Sequence, residues 1–253
     1  MKILMIYPQI DAPLGTNHGI ASLAGVLHAN GHELDLMHVS EKYQPVPSSE
    51  EIISYIRETE PGLVGFSVMS QQYEWVEEKS KDIRKEIPEL IQIIGGVHCT
   101  MVPDEVHKSK LFDYVCVGEG DWALLELMDA LEKGETPHTL ANFRSWMGGV
   151  PVANPVAPFP NLDTLPPLDY DVFDMQAVMK ETRGWMGILT SRGCPYKCTY
   201  CASPFHWDRK TTRLRSPESV IEEMVHLKEN YWKAAKFDYS ASANISDKES
   251  LKI

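Results

Sequence analysis

Short apolar runs alternate with amphipathic segments along the first half of the chain. The runs that predict β-strands lie at residues 2–7, 33–39, 62–68, 91–96 and 114–120. Segments with apolar residues at helical spacing lie at residues 19–31, 48–58, 72–87 and 121–134. Strands that alternate with helices predict a parallel, doubly wound α/β sheet. Such sheets bind their ligands at the carboxyl ends of the strands.

The starts of two of these helices carry side chains suited to capping. Ser48 and Glu51 have the spacing of a capping box. Asp121 directly precedes an apolar-periodic stretch, and we expect it to cap the helix over 121–134.

The composition changes at residues 151–167, which contain six prolines. Such a stretch can form neither a helix nor a central strand, so we expect an extended linker over the surface. After it, the pattern predicts a strand and loop over 185–194, a helix over 216–231 capped by Ser216, and a strand over 233–240. The predicted domains are residues 1–140, a connector at 141–183, and residues 184–253.

The composition is that of a soluble globular protein. Of 253 residues, 43% are hydrophobic and 24% charged, and the formal net charge is −12. This acidic balance argues against nucleic acid as a partner. One basic stretch, at residues 208–215, is interpreted as a solvated loop. No apolar run could span a bilayer, and the N-terminus reads as a core strand and not as a signal peptide, so we expect a cytoplasmic protein.

Three of the five cysteines are crowded into "TSRGCPYKCTYCASP", residues 190–204. Thiols at this density in a reducing compartment are usually metal ligands. Zinc would need a fourth ligand, which His206 could supply, although the spacing is unusual for a zinc knuckle. The alternative is an iron–sulfur cluster with three irons held by Cys194, Cys198 and Cys201 and the fourth iron open to another ligand.

This motif, with Tyr200 just before its last cysteine, resembles the radical S-adenosylmethionine superfamily. The resemblance implies that Cys194, Cys198 and Cys201 hold a [4Fe-4S] cluster. The open iron would bind S-adenosylmethionine, which the reduced cluster cleaves to a 5′-deoxyadenosyl radical, and Tyr200 would lie near its adenine. An electron donor such as flavodoxin or ferredoxin is implied as a partner.

Small polar loops at three predicted strand ends resemble the cobalamin-binding domain that precedes many radical S-adenosylmethionine domains. They read "SVMSQQ", "GGVHCTMVP" and "GEGDW". The cobalamin contacts implied by the resemblance are Ser67, Ser70, Gly95, Gly96, His98, Gly118, Glu119 and Gly120. The implied fold is a Rossmann-like doubly wound sheet, followed by the first β/α units of a partial TIM-type barrel.

The sequence departs from that family in two ways. The usual cobalt-binding His of the first loop is missing: Asp11 is followed by Pro13, and His18 lacks the flanking pattern. We therefore expect cobalamin without a His ligand, and His18 as a polar loop residue. The family's barrel also continues through further β/α units. The chain could be a truncated gene product, an excised piece of a longer protein, or one half of a split enzyme whose barrel a second chain completes.

The resemblance implies a cobalamin-dependent radical S-adenosylmethionine enzyme that transfers a methyl group to an unactivated carbon of an unidentified small molecule. A radical oxidative cyclase of the anaerobic tetrapyrrole type is one alternative, and a non-catalytic cobalamin and iron–sulfur binding module is another. A nucleotide-binding Rossmann domain with a zinc tail is less favoured, because no Gly-x-Gly-x-x-Gly follows the first strand. We expect Cys99 and Cys116, both in apolar contexts, to be buried thiols.

Overall fold

A computed structural model describes residues 1–42, 44–196, 198–201, 212–231 and 236–239. The strands are β1 (Lys2–Pro8), β2 (Glu33–Val39), β3 (Leu63–Ser67), β4 (Ile91–Gly95), β5 (Tyr114–Cys116), β6 (Phe143–Met147), β7 (Val150–Ala153), β8 (Trp185–Ile188), β9 (Ser191–Arg192), β10 (Arg213–Leu214) and β11 (Lys236–Tyr239). The helices are α1 (His18–Ala29), α2 (Ser49–Thr59), α3 (Tyr73–Glu86), α4 (Val97–Met101), α5 (Pro103–Lys108), α6 (Asp121–Glu132), α7 (Met175–Glu181) and α8 (Pro217–Tyr231). None of the helices in these ranges is long and apolar enough to cross a bilayer.

The main sheet has seven strands in the order β2-β1-β3-β4-β5-β6-β7. The first five strands run parallel, while β6 and β7 add an antiparallel hairpin at one edge. The predicted doubly wound parallel sheet is therefore confirmed. The strand order reverses between β1 and β3, and ligands of open α/β sheets bind outside the carboxyl ends of strands at such a reversal.

Both faces of the sheet are covered. Alternate residues of β1 enter different apolar clusters: Ile3 and Met5 lie with α1, α6 and α7, whereas Leu4 and Ile6 lie with α2, α3 and α5. The described part of the C-terminal region packs on the α1 and α6 face, where Ile188 of β8 joins the same cluster.

The capping predictions have different outcomes. Ser48 and Glu51 form the predicted capping box, with Ser48 Oγ accepting from the Glu51 amide at 3.2 Å. The Ser216 hydroxyl accepts from the amide of Ser219 at 3.2 Å, as expected of the cap of α8. The Asp121 prediction is wrong, because Gly120 is the N-cap of α6 and the buried Asp121 side chain faces the C-terminal part of the chain.

The proline-rich stretch is not only a linker. Its first residues form β7, so the sheet continues through Ala153, beyond the predicted boundary at residue 140. Proline is tolerated in β7 because this strand is at the edge of the sheet formed by the described residues. The division at residue 140 stays a prediction, although the hairpin β6–β7 pairs with the N-terminal sheet. The loop predicted at 95–103 contains α4, a helix too short to give a periodic signal.

The C-terminal part begins with parallel pairing between β8 and β11 and an antiparallel pair of β9 and β10. We refer to the described residues between β9 and β10 (193–196, 198–201 and 212), which contain the three clustered cysteines, as the cysteine loop. The connector docks tightly on α1: the amide of Asp169 donates to the carbonyl of Ala21 at 2.9 Å. A Cβ on Gly25 would lie only 2.1 Å from the Pro167 carbonyl oxygen, so glycine permits this approach.

Candidate functional site: the carboxyl edge of the sheet and the cysteine loop

The loops after β3 and β4 are in backbone contact at the carboxyl edge of the sheet. The amide of Val68 donates to the carbonyl of Gly95 at 3.0 Å, and the amide of His98 donates to the carbonyl of Val68 at 3.2 Å. Gly96 has φ +98°, and a Cβ there would lie 2.7 Å from both Val68 N and Val68 O. A glycine is required at this position for steric and conformational reasons.

His98 lies at this edge among polar and aromatic neighbours. Its Nδ1 is 3.1 Å from Ser70 Oγ, and its ring lies 4.2 Å from the Tyr73 ring, tilted by 31°. Burial lowers the pKa of His98, which favours the neutral imidazole. Beside it, Met69 and Val97 are exposed apolar side chains. The edge therefore offers both apolar surface and hydrogen-bonding groups.

The loop after β5 is fixed by two neighbours. The amide of Gly118 donates to Thr100 Oγ1 at 3.0 Å, which joins this loop to α4. The buried Asn142 donates from Nδ2 to the carbonyls of Val117 at 3.0 Å and Glu119 at 3.1 Å. Asn142 was not identified from the sequence, where nothing distinguishes it from any other polar residue of a connector.

The side chains of Glu119 and Asp121 bind two arginines that flank the cysteine loop. Arg192 Nη1 donates to Asp121 Oδ2 at 2.7 Å and lies 3.2 Å from Glu119 Oε2. Arg213 donates to both carboxylate oxygens of Glu119, and its Nη1 lies 3.1 Å from Glu119 Oε2. Burial opposes ionisation of Asp121, but Arg192 outweighs it and holds the pKa of Asp121 below its usual range.

The basic stretch 208–215 is therefore not a solvated loop in its described part. Arg213 also donates to the carbonyl of Pro160 at 3.0 Å and stacks over Phe159 at 4.6 Å. Arg215 pairs with Glu223 of α8, and both of these side chains are largely buried. The partners of these arginines lie outside the basic stretch: Glu119 is 94 positions from Arg213, and Glu223 lies on α8.

The clustered cysteines lie in the cysteine loop with graded exposure. Cys198 is exposed, Cys194 and Cys201 are partly buried, and the amide of Cys201 donates to the carbonyl of Cys198 at 3.1 Å. Tyr200 is 90% exposed, and hydrogen bonding to Cys198 raises its pKa. In the described part of the chain, no three His, Cys, Asp or Glu side chains are close enough to hold a metal ion. The cluster ligands and the adenine contact of Tyr200 stay predictions, and His206 lies outside the described residues.

His18 was expected to lie in a loop, but it is the first residue of α1. Its Nε2 is 2.7 Å from the carbonyl oxygen of Gly187, so the side chain links α1 to β8. Burial raises the pKa of Cys99, which is fully buried. It also raises the pKa of Cys116, to about 12. Both are therefore unreactive thiols, although Cys116 is only partly buried.

Comparison with protein families gives one match for the N-terminal sheet region and another for the region that contains the cysteine loop. A B12 binding domain model matches residues 12–128, and a Radical SAM superfamily model matches residues 188–237. The chain belongs to the radical S-adenosylmethionine proteins with an N-terminal B12-binding domain. The first match spans β2 to β5 with their edge loops, and the second contains the clustered cysteines.

Relatives with related sequences align along most of the chain. An uncharacterized methyltransferase of Pyrococcus horikoshii is 28% identical over 91% of this chain and 51% of its own length. The anaerobic magnesium-protoporphyrin IX monomethyl ester cyclase of Rubrivivax gelatinosus is 25% identical over 88% of this chain and 42% of its own length. The chain thus spans about half the length of these relatives.

A solved structure has the same fold. The cobalamin-dependent S-adenosylmethionine radical enzyme OxsB, with aqua-cobalamin and S-adenosylmethionine bound, superposes with a TM-score of 0.77. The match covers 95% of this chain and 34% of that chain at 19% identity. At this identity the similarity concerns the fold, and it supports the order of a doubly wound domain followed by the start of a barrel.

Proposed function

We propose that this chain binds cobalamin, a [4Fe-4S] cluster and S-adenosylmethionine, and that it acts in methyl transfer to an unactivated carbon of a small molecule. The observation that carries the proposal is the junction between the two matched regions. The hairpin β9–β10, which brackets the three cysteines, is ion-paired to the loop at the carboxyl end of β5.

The donor chemistry of the cysteine loop fits an iron–sulfur cluster. Cys194, Cys198 and Cys201 are free thiols, and none of them is fully buried. Thiolates are the usual ligands of iron–sulfur clusters, and three of them leave one iron with an open position. Cys99 and Cys116 do not compete as ligands, because burial disfavours their thiolates.

The carboxyl edge of the sheet fits a large ligand with apolar faces and amide side chains. The corrin ring of cobalamin is such a ligand. Met69 and Val97 expose apolar surface there, and Ser70 and His98 offer hydrogen-bonding groups. Gly96 packs against the Val68 backbone, so the two loops that carry these residues are in direct contact. His18 is occupied by its hydrogen bond to Gly187, which supports a corrin without a His ligand from this helix.

When bound, these cofactors supply the electron for reductive cleavage of S-adenosylmethionine and carry the methyl group. The residues of the chain bind and orient them: the cysteines hold iron, Tyr200 contacts the adenine, and the edge loops hold the corrin. We assign an external electron donor of the flavodoxin or ferredoxin type. A second chain completing the barrel and a cytoplasmic, reducing location belong to the same proposal.

A radical oxidative cyclisation is the second candidate. It is favoured by the similarity to the Rubrivivax gelatinosus cyclase, which aligns over nearly as much of this chain as the methyltransferase does. A non-catalytic corrin and cluster-binding module is distinguished from both by an absence of 5′-deoxyadenosine formation in the reconstituted protein.

The testing experiment is anaerobic reconstitution of the chain with iron, sulfide and cobalamin, followed by determination of iron, sulfide and corrin per chain. We expect about four irons and one corrin for the unmodified chain. Cys198→Ala should lose the iron but retain the corrin, because the thiol is a ligand and lies outside the B12-binding match. Cys99→Ala is the matched control, since its fully buried thiol cannot reach the cluster.

Unchanged iron in Cys198→Ala would show that the cluster assignment is wrong. Binding of zinc with no corrin by the unmodified chain would contradict the whole proposal.

A further inference from the structure

Glu119 and Asp121 contact the base of the cysteine loop and not only their own domain. Arg192 and Arg213 are direct partners in the antiparallel register of β9 and β10. Arg192 therefore directly precedes the cysteine loop in the chain, and Arg213 directly follows it. Both arginines bind the same short acidic segment after β5.

The geometry of these contacts distinguishes them from a surface ion pair. The side chains of Glu119 and Asp121 are only 9% and 6% exposed. Arg192 uses two nitrogens on Asp121 and also donates from Nη2 to the buried Ser22 hydroxyl at 2.9 Å. Fork-like pairs of this kind fix orientation as well as distance. A buried charge that loses its partner is costly, so each carboxylate strongly favours this one arrangement.

The acidic segment is itself rigidly held on the side of the B12-binding domain. Asn142 holds the carbonyl of Glu119, and Thr100 holds the amide of Gly118. Thr100 belongs to α4, which also carries His98 at the edge of the sheet. A continuous set of hydrogen bonds thus joins the predicted corrin edge to the base of the cysteine loop.

We propose that Glu119 and Asp121 are positioning residues, which set the separation and orientation of the three-cysteine site relative to the corrin edge. Glu119 is predicted from the sequence to contact cobalamin, and that contact stays a prediction. We infer that its carboxylate holds Arg213 and Arg192, which leaves the backbone of Glu119 for the corrin. This inference rests on the proposed function, because it assigns the purpose of the ion pairs to the two cofactors of that function.

The test uses the full chain loaded with cobalamin and cluster and reduced so that cob(II)alamin and the cluster are both paramagnetic. The magnetic interaction between the two centres, measured by electron paramagnetic resonance, reports their separation and its uniformity. Glu119→Gln should alter this interaction while the corrin and iron contents are unchanged. Glu126→Gln is the matched control: Glu126 is an exposed residue of α6, and its variant should give the spectrum of the unmodified chain.

A second readout is the rate at which a chelator removes iron. Glu119→Gln should release iron roughly tenfold faster or more, because charge-assisted hydrogen bonds at the base of the loop are lost. The double variant Glu119→Gln with Arg213→Gln should release iron more slowly than the two single effects combined would predict, since both changes remove the same contact. Arg213→Lys keeps the charge and the fold but loses the fork, and should change the spectrum in the same direction.

The two proposals fail separately. An unmodified chain that binds neither corrin nor iron overturns the proposed function and this inference with it. If the unmodified chain binds both, while Glu119→Gln and Arg213→Lys give its spectrum and its release rate, this inference alone is overturned.

Discussion

Replacing Gly25 by alanine tests how the connector docks on the B12-binding domain. The added Cβ would lie 2.1 Å from the Pro167 carbonyl oxygen, whereas ordinary contacts begin at 3.4 Å, so the connector would have to move by about 1.3 Å (3.4 − 2.1). The movement strains the hydrogen bond from the Asp169 amide to the Ala21 carbonyl, which is 2.9 Å long. Tyr170, which follows directly, is fully buried and donates to Glu223 at 2.6 Å.

The opposing effects can be compared in magnitude. Alanine is a better helix former than glycine by about 1 kcal/mol. Overpacking against a backbone atom costs roughly 1–3 kcal/mol, and a lost hydrogen bond costs about 1 kcal/mol more. We therefore expect the free energy of unfolding to fall by about 2 kcal/mol and the Tm to fall by roughly 4–8 °C.

The assay is thermal unfolding followed by circular dichroism, with urea unfolding as a second measure. Gly15→Ala is the control, because a Cβ there meets nothing within 4 Å, and its Tm should be unchanged. A Gly25→Ala chain as stable as the unmodified chain would contradict the predicted clash, since alanine would then fit where the structure leaves no room for it.

Two further predictions concern the site and the pH dependence of stability. Gly96→Ala should weaken corrin binding roughly tenfold or more, because it adds a clash with the Val68 backbone to the cost of a positive φ. Gly149→Ala is the control for the positive φ, because a Cβ there meets open space. Equal corrin affinities of the two variants would contradict the assignment. Burial lowers the pKa of His38 from 6.5 to about 4, so the folded state favours the neutral ring. Its contribution to stability is complete above about pH 6.5 and is lost as the pH falls towards about 4, by up to about 3 kcal/mol. Urea titrations across this interval should show a shallower fall for His38→Gln, and parallel curves would contradict the burial argument.

Local patterns in the sequence determined most of the N-terminal fold. The apolar run over 33–39 is strand β2 itself, and Ser48 with Glu51 forms the capping box, because both depend on residues close together in the chain. The Gly-Gly pair after the fourth apolar run was apparent from the sequence, whereas the contact of Gly96 with the Val68 backbone depends on the tertiary structure. The three crowded cysteines were apparent from spacing alone.

The remaining features depended on partners far away in the chain. Arg192 and Asp121 are 71 positions apart, and neither is distinguished locally from a solvated charge or a helix cap. The hairpin β6–β7 was missed because its short strands are stabilised by pairing with β5, which no periodicity of their own reveals. Local patterns were sufficient for the five parallel strands, for the longer helices between them and for the clustering of three thiols. The charges that meet could be known only from the tertiary structure, because burial and long-range strand register bring Glu119 and Asp121 to Arg192 and Arg213.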